Sequence, residues 1–199
     1  VIKDYFRDFY IYQSDITVDL RTNSIRIHKN ISEDWKVTVV DTGLYSATGQ
    51  RVSQVERYID GDSFIVTYGD CLDDIDVNDV IEYHRRQGKL ATMVVARPSG
   101  RHSLLALDQS GNYLGKRKAL SQEAWTNTGT YVLDKSAFNF MTGNYSLENQ
   151  FLERLVQRSQ IDTYRHEGFW SPVETKRDFE QMQNLWNAGE APWKSWQEG

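Results

Sequence analysis

The chain has 199 residues and a formal net charge of −5, with 23 basic and 28 acidic residues. This acidic balance argues against general binding to a nucleic acid polymer or to an anionic membrane surface, so any phosphate group must be held by a local site. The length suffices for one domain with a sizeable core, and we predict a single domain over residues 1–199.

The cysteine content indicates in which cellular compartment the protein is expected. Cys71 is the single cysteine, which excludes an intramolecular disulfide and favours a reducing compartment, so we expect a cytoplasmic protein. No apolar run approaches the ~20 residues of a membrane span, and the sequence shows no signal peptide. We therefore expect no membrane partner.

The first half of the chain alternates helical and extended patterns. An amphipathic helix begins at once at Val1 without a capping residue before it, and we therefore expect the sequence to start inside a larger fold. In chain order, the patterns predict a helix over 1–10, a hairpin with strands over 16–20 and 25–28, a strand over 35–40, a helix over 50–59, a strand over 64–67, a helix over 77–86 and a strand over 90–96.

The second half interrupts this alternation once and then resumes it. The patterns predict a hairpin with strands over 102–108 and 112–118, a strand over 130–133, helices over 135–141 and 147–158, a strand over 161–166 and a closing helix over 175–188. The inner face of the closing helix is predicted to carry Phe179, Met182, Leu185 and Trp186. This order is typical of an α/β protein with a doubly wound, mostly parallel but mixed sheet and an inserted β-hairpin.

Two polar loops are the most informative features of the sequence. The first, residues 41–51, packs hydroxyls, glycines and an arginine into a short turn that opens a helix, where backbone amides and the helix dipole favour anions. The second follows the apolar strand 64–67 and ends in Asp70, at the carboxyl end of a strand, where open α/β sheets bind ligands. A nucleotide bound together with a divalent cation explains both loops.

Five short segments carry a family resemblance, and they occur in the family's order. They are 39–43 (Val-Val-Asp-Thr-Gly), 48–51 (Thr-Gly-Gln-Arg), 67–70 (Thr-Tyr-Gly-Asp), 168–172 (Gly-Phe-Trp-Ser-Pro) and 191–196 (Ala-Pro-Trp-Lys-Ser-Trp). With these segments the chain resembles the bacterial glucose-1-phosphate cytidylyltransferases of the sugar nucleotidyltransferase family, from Val1 to nearly its last residue. The resemblance implies a Rossmann-like nucleotidyltransferase fold. It also implies a reaction that joins CTP to a sugar 1-phosphate, here glucose 1-phosphate, and releases pyrophosphate, with Mg²⁺ as the cofactor.

The resemblance also implies roles for individual residues. Asp70 and Glu174 are expected to bind Mg²⁺, Lys118 is expected to hold the acceptor phosphate, and Asp70 and Lys118 are the expected catalytic residues. The nucleotide is expected to contact Ser46, Thr48, Gly49, Arg51 and Gly69, and the acceptor sugar to contact Asn127, Thr128 and Gly129.

The chain departs from the family in ways that bear on activity. Glu174 replaces the family's aspartate, and its extra methylene shifts the carboxylate oxygens in a site with short metal–oxygen bonds. On the acceptor side, the family's Glu-Lys-Pro corresponds to residues 117–119, Arg-Lys-Ala, and its Asn-Gly-Gly to residues 127–129, Asn-Thr-Gly. The family's first strand and glycine-rich loop have no counterpart before Val1, so the charge that develops on the α-phosphate lacks its main stabilisation. We therefore expect this chain alone not to turn over.

These departures keep other functions open. One is a degenerate nucleotide-binding relative with a regulatory or scaffolding role in a surface-polysaccharide pathway. Another is a cytidylyltransferase for a different phosphorylated acceptor. A purely structural interaction domain is the third alternative, and it predicts no binding of CTP or Mg²⁺.

The expected site residues also have structural interpretations. Asp70 stands where a carboxylate caps a turn, Glu174 precedes a helix whose dipole favours an acid, and Lys118 lies on a hairpin edge of the kind that lysines protect. Thr48 and Gly49 are ordinary residues for a helix start. The tryptophans near the end of the sequence suit a core or a subunit contact, and on this basis we expect a homo-oligomer.

Overall fold

The structure is a computed structural model that describes residues 1–30, 34–97, 104–107, 113–117 and 125–196. The residues form two compact units, Val1–Tyr45 and Ser46–Gly199. The prediction of a single domain over the whole chain stays a prediction.

The first unit is a helix followed by a β-hairpin. Helix α1, Ile2–Tyr12, packs three aromatic rings together, with ring centres 5.2 to 6.2 Å apart. Strands β1, Ser14–Asp19, and β2, Ser24–Asn30, pair antiparallel. Asn23 in the connecting turn has a φ of 51°, in the left-handed region that asparagine tolerates. The predicted helix and hairpin are confirmed.

One predicted element of this unit is wrong. Residues 34–40 contain no strand, although Val37, Val39 and Val40 have the branched side chains that strands favour. Such residues form a strand only where a neighbouring strand supplies hydrogen-bond partners, and residues 34–40 join none of the described ladders.

The second unit contains the helices and strands of an α/β fold. Its helices are α2, Thr48–Gln54; α3, Val77–Gln87; α4, Leu152–Val156; and α5, Lys176–Asn187, with 3₁₀ turns over Glu56–Tyr58 and Lys135–Phe140 and a π-helical turn over Leu147–Phe151. Its strands are β3, Ser63–Val66; β4, Cys71–Asp73; β5, Ala91–Ala96; β6, Leu104–Leu107; β7, Tyr113–Arg117; β8, Thr126–Asp134; β9, Ile161–His166; and β10, Trp170–Pro172. Within the described residues, no helix combines the length and the apolar character needed to cross a membrane.

The main sheet is mixed, as predicted, and has the strand order β3–β8–β5–β9. β5 and β9 pair in parallel, whereas β8 runs antiparallel to both β3 and β5. The predicted inserted hairpin is present as the antiparallel pair β6–β7. Because the chain leaves β5 and re-enters the sheet after this hairpin at the same edge, β8 must run in the opposite direction, so the sheet has a smaller parallel share than predicted.

The two faces of the sheet carry separate apolar clusters. One face carries the buried residues Tyr131, Leu133, Phe138, Leu147 and Phe151. The other face carries Val80, Val94 and Val132, with Val80 contributed by α3. Neighbouring residues of β8 alternate between the faces, as the pleat of a strand requires. Helices thus cover both faces of the sheet, which is the layering of an α/β domain.

The inner face of α5 differs from the prediction. Met182 is buried, but Phe179 and Trp186 are 58% and 42% exposed. The buried stripe of α5 instead runs through Asp178 and Met182, four residues apart on one side of the helix. Phe179 and Trp186 lie on the same side of α5 as Met182 and line a groove with Leu72 and Trp193, so they are on the predicted face but stay partly exposed.

Candidate active site

The sheet brings several polar segments to one edge. Because β8 is antiparallel to β3 and β5, and β5 is parallel to β9, the carboxyl ends of β3, β5 and β9 meet the beginning of β8 at the same edge. Segment 67–70 follows β3, segment 126–130 begins β8, and segment 167–174 follows β9. Open α/β sheets bind ligands at the carboxyl ends of their strands, so this edge is the candidate active site.

A short ladder places Asp70 and Glu174 at the same end of two neighbouring strands. β4 pairs antiparallel with β10, with Cys71 opposite Pro172. Just beyond this pair, the Val173 amide donates a hydrogen bond of 2.7 Å to the Asp70 carbonyl oxygen. Asp70 and Glu174 are both exposed. The fold thus brings together the backbones of two acidic residues that are distant in sequence, and their binding of Mg²⁺ stays a prediction.

The start of α5 leaves the Glu174 carboxylate outside the helix cap. The Thr175 hydroxyl accepts a hydrogen bond of 3.2 Å from the Asp178 amide. Oδ2 of Asp178 accepts in return from the Thr175 amide at 3.2 Å and from the Glu174 amide at 3.3 Å. Asp178, which is 7% exposed, is therefore the carboxylate that meets the helix dipole. This arrangement weakens the purely structural explanation of Glu174.

Gly129 joins the loop after β3 to the beginning of β8. Its φ is 84°, and an ideal Cβ at this position lies 2.5 Å from Cδ2 of Tyr68. The register between β5 and β8 shifts here, since Met93 lies opposite Tyr131 and Val95 opposite Asn127. Segment 128–130 therefore bulges towards Tyr68, and the missing side chain of Gly129 makes room for the tyrosine ring.

The side chains of Asn127 and Thr128 hold this bulge in shape. Oδ1 of Asn127 accepts a hydrogen bond of 2.9 Å from the Gly129 amide, and its Nδ2 donates to the Tyr131 hydroxyl. The Thr128 hydroxyl donates to the Val94 carbonyl oxygen at 3.0 Å. The Asn127 amide keeps one N–H and one oxygen lone pair beyond these bonds. Contact of residues 127–129 with a sugar stays a prediction.

Trp170 connects the acidic pair to the β8 bulge. Its indole Nε1 donates a hydrogen bond of 3.2 Å to the Thr128 carbonyl oxygen, while its backbone pairs with Asp73 in the β4–β10 ladder. Tyr68 and Trp170 therefore attach both acidic segments to the same bulge. Neither residue was expected in the site from the sequence, although both lie in the matched segments 67–70 and 168–172.

Asp74 and His166 shape the turn that leads into β10. Nε2 of His166 lies 2.8 Å from Oδ1 of Asp74 and 3.1 Å from the Phe169 carbonyl oxygen. Both partners are acceptors, so the ring carries a proton on Nε2. Oδ1 of Asp74 also accepts from the Phe169 amide at 2.7 Å, and an ideal Cβ on Gly168 lies 2.4 Å from the same oxygen. His166 thus has a positioning role that its place in the sequence did not reveal.

Cys71 and Asp73, which lie in β4 between the two acidic segments, are partly buried and do not act as nucleophiles. Burial raises the pKa of the Asp73 carboxyl, while the Ile75 amide, which donates to it at 3.2 Å, and the His166 ring act in the opposite direction. Burial also raises the pKa of the Cys71 thiol, and the charges of Asp73 and Asp70 add to this effect. The thiol is therefore protonated at neutral pH and serves as a packed side chain.

The start of α2 contains most of the residues expected to contact the nucleotide. The Thr48 hydroxyl donates to Oε2 of Glu148 at 3.0 Å and accepts from the Leu147 amide at 2.9 Å. The Gly49 amide donates to the Tyr145 carbonyl oxygen at 3.0 Å, and an ideal Cβ on Gly49 lies 2.6 Å from Cε2 of Tyr145. Thr48 and Gly49 therefore anchor α2, and their contact with a nucleotide stays a prediction.

The other expected site residues differ in their surroundings. Ser46 is half-buried and Arg51 is exposed, both beside the start of α2. Gly69 is exposed, and an ideal Cβ there has no atom within 4 Å. Lys118 lies outside the described residues.

The sequence is similar to curated sugar-phosphate nucleotidyltransferases. The glucose-1-phosphate cytidylyltransferase from Salmonella typhi is 35% identical over 199 residues, which make up 99% of this chain and 77% of the relative. The protein of the same name from Salmonella typhimurium has the same 35% identity and covers the same 77% of its length. No protein-family model matches the sequence.

A solved structure has the same fold. The inositol-1-phosphate CTP transferase from T. maritima gives a TM-score of 0.52 at 13% sequence identity, over 77% of this chain and 65% of that chain. This likeness concerns the fold alone, and it confirms the expected Rossmann-like nucleotidyltransferase fold. On its 35% identity to a relative of which it spans 77%, the chain belongs to the glucose-1-phosphate cytidylyltransferase family of enzymes.

Proposed function

We propose that the protein transfers a cytidylyl group from CTP to a sugar 1-phosphate, with glucose 1-phosphate as the reference acceptor, to give a CDP-sugar and pyrophosphate. The observation that carries this proposal is the hydrogen bond of 2.7 Å from the Val173 amide to the Asp70 carbonyl oxygen, which brings Asp70 and Glu174 together. Tyr68 and Trp170 attach this pair to the bulge that contains the proposed sugar residues 127–129.

Two carboxylates suit Mg²⁺ bound together with a polyphosphate. In the described part of the chain, no group of three His, Cys, Asp or Glu side chains is arranged to hold a metal ion. Mg²⁺ in such sites takes one or two carboxylates, and substrate phosphates and water complete its octahedron. Asp70 and Glu174 supply the two carboxylates, and both are exposed where a ligand can reach them. When bound, Mg²⁺ neutralises phosphate charge and orients the triphosphate.

We propose that the nucleotide contacts the start of α2 and the Gly69 turn, through Ser46, Thr48, Gly49, Arg51 and Gly69. Gly69 supports this placement because the fold itself gives no reason for a glycine there, whereas Gly49 and Gly129 have aromatic rings where a Cβ would stand. Close approach of a ligand to the backbone is the other common reason for a glycine. The hydrogen bonds of Thr48 and Gly49 fix the backbone that faces the nucleotide.

The residues of the acceptor side align and neutralise the reacting groups. An oxygen of the acceptor phosphate attacks the α-phosphorus of CTP, a new P–O bond forms, and the bond to the β-phosphate breaks so that pyrophosphate leaves. This nucleophile is already an anion, so it needs no general base and depends on alignment and charge neutralisation. Lys118 is proposed to hold the acceptor phosphate and Asn127, Thr128 and Gly129 to orient the sugar.

The cellular compartment and the oligomeric state of the protein are two further proposals. We place the protein in the cytoplasm, and its single cysteine supports a reducing compartment. We also propose a homo-oligomer that uses the groove beside α5, where Phe179 and Trp186 are partly exposed next to Leu72 and Trp193. Exposed aromatic side chains of this kind are enriched at subunit interfaces.

Calorimetric titration of the full chain with CTP, in the presence of Mg²⁺ or of EDTA, tests the proposed function. Asp70→Asn and Glu174→Gln should each weaken Mg²⁺-dependent CTP binding by at least about tenfold. Glu180→Gln is the matched control, since Glu180 is an exposed carboxylate of α5 that pairs with Lys176 at 3.5 Å. No heat with CTP, or an equal loss in all three variants, would contradict the proposal.

A pyrophosphate-release assay on the same preparations separates the enzyme from a regulatory relative. Turnover of CTP with a sugar 1-phosphate supports the enzyme, and it would contradict the expectation that this chain alone is inactive. Tight CTP binding without turnover of any sugar phosphate favours a degenerate nucleotide-binding relative. The Arg-Lys-Ala sequence at 117–119 makes the choice of acceptor the most informative variable in this assay.

A further inference from the structure

Two arginines and a tryptophan form a cluster at the carboxyl ends of β5 and β9. Arg97 directly follows β5, Arg165 is near the end of β9, and Trp125 directly precedes β8. The Cζ atoms of Arg97 and Arg165 lie over the Trp125 ring, 5.0 and 5.5 Å from its centre. This Arg–Trp–Arg cluster is at the same edge of the sheet as the candidate active site.

Among the residues that the structure describes, the cluster carries more positive than negative charge. Arg97 pairs with Glu167 through two contacts of 3.3 Å, from Nε to Oε2 and from Nη2 to Oε1, so Glu167 already occupies one edge of its guanidinium and Arg165 is the arginine whose edge is available. None of the carboxylates in the described ranges forms an ion pair with Arg165, which is exposed. A guanidinium over an aromatic ring uses its flat face, so the N–H groups at its edge remain directed at other partners. Such an edge fits a carboxylate or a phosphate with two parallel hydrogen bonds.

The strand register places the cluster next to the proposed sugar residues. Val95 pairs with Asn127 on one side and with Arg165 on the other, so these three residues form one row across the sheet. Trp125 is two residues before Asn127, the spacing at which side chains of an extended chain share a face. An acceptor sugar bound at Asn127 would therefore have the Arg–Trp–Arg cluster beside it.

We propose that Arg97, Trp125 and Arg165 bind a second anionic group of the acceptor, so that the preferred acceptor is a sugar 1-phosphate that also carries a carboxylate or a further phosphate. This inference rests on the proposed function, because it assumes that the acceptor lies at Asn127. Glucose 1-phosphate has only neutral hydroxyls away from its phosphate, so it offers no anionic partner to Arg165, which forms no ion pair with the described carboxylates. Arg117 stands where the family has an acid, so it also adds positive charge to the acceptor side.

The test compares three probes by calorimetry with the full chain in Mg²⁺: glucose 1-phosphate, glucuronic acid 1-phosphate and glucose 1,6-bisphosphate. We expect at least one of the two probes with a second anionic group to bind about tenfold more tightly than glucose 1-phosphate. Glucuronic acid 1-phosphate and the bisphosphate distinguish a carboxylate from a phosphate as the second group. Equal affinity for all three probes, or no binding of any of them, would overturn the proposal.

Substitution of the arginines tests whether the cluster causes the preference for a second anionic group. Arg165→Gln and, separately, Arg97→Gln should abolish the preference while the affinity for glucose 1-phosphate stays the same. Arg158→Gln is the matched control, since Arg158 also lies over a ring, 5.3 Å from the centre of Phe140, but is in the turn that follows α4. A preference that survives in both test variants would show that the ring contacts are only structural.

Titration with CTP and Mg²⁺ separates failure of this inference from failure of the proposed function. Wild type, Arg165→Gln and Arg97→Gln should bind CTP equally. Normal CTP binding together with equal affinity for the three sugar phosphates would overturn only the proposal that the acceptor carries a second anionic group. Absence of CTP binding in the wild type overturns the proposed function.

Discussion

Replacement of Gly129 by alanine tests the packing that joins the loop after β3 to the start of β8. Gly129 has a φ of 84°, and an ideal Cβ there lies 2.5 Å from Cδ2 of Tyr68. A left-handed backbone costs a non-glycine residue about 1–2 kcal/mol, and an extra methyl group in a packed site costs about 1–3 kcal/mol. We therefore expect Gly129→Ala to lower the free energy of unfolding by about 2–5 kcal/mol.

Gly88→Ala is the control that separates these two costs. Gly88 has a φ of 61°, but an ideal Cβ there has no atom within 4 Å. Its replacement should cost only the backbone part, about 1–2 kcal/mol. Urea unfolding followed by circular dichroism measures both losses. An equal loss of stability in the two variants would refute the steric argument.

A double-mutant cycle with Tyr68→Ala identifies the partner of the new methyl group. In the Tyr68→Ala background, Gly129→Ala should cost less than in the wild type, because the ring that it contacts is gone. In the single variant, displacement of Tyr68 should also move the backbone of Asp70, so Mg²⁺-dependent binding of CTP should weaken. Additive effects of the two substitutions would show that Tyr68 is not the contact that matters.

The cap of α5, a buried histidine and an exposed aromatic face allow three more tests. Thr175→Ala removes the N-cap and should lower the free energy of unfolding by about 1 kcal/mol in urea, and an unchanged value would contradict the cap. Burial lowers the pKa of His84, so the folded state binds fewer protons than the unfolded state. The free energy of unfolding should therefore fall as the pH drops below 6.5. The melting temperature of His84→Asn, measured by thermal denaturation, should depend less on pH than that of the wild type. Phe179→Ser with Trp186→Ser should lower the molar mass measured by light scattering, and an unchanged mass would argue against a subunit contact on α5.

Elements with a strong local signal were predictable from the sequence. Helix α3 has apolar residues at helical spacing, Asp76 as its cap and Gly88 at its end, and the structure shows the Asn78 amide donating to Asp76 at 2.8 Å. The hairpin of the first unit has the same kind of local support in its turn around Asn23. In both cases a few neighbouring residues determine the conformation.

Elements that depend on distant partners were not predictable in the same way. Residues 35–40 have strand composition but lack a neighbour in the described ladders. Strands β4 and β10 have three residues each, too few for a periodic pattern, and exist because they pair with each other. The same limit applies to α5, where only the three-dimensional packing shows that Asp178, rather than Phe179, is buried.

The candidate site was predictable as a set of residues but not as an arrangement. The matched segments pointed to Asp70 and Glu174, whereas the hydrogen bond that brings them together involves the backbone of Val173. The contacts of Tyr68 with Gly129 and of His166 with Asp74 depend on pairs that are far apart in sequence. The spacing of residues in a single sequence does not show which distant residues are in contact.

The β4–β10 ladder has a consequence for protein synthesis. β4 leaves the ribosome well before β10, so the strand that pairs with β4 is made much later than Asp70. A chain stopped by a premature termination codon directly after β9 would retain all four strands of the main sheet but would lack both β10 and Glu174. Such a product would be able to fold its sheet and bury its core, yet it would have no means of assembling the acidic pair.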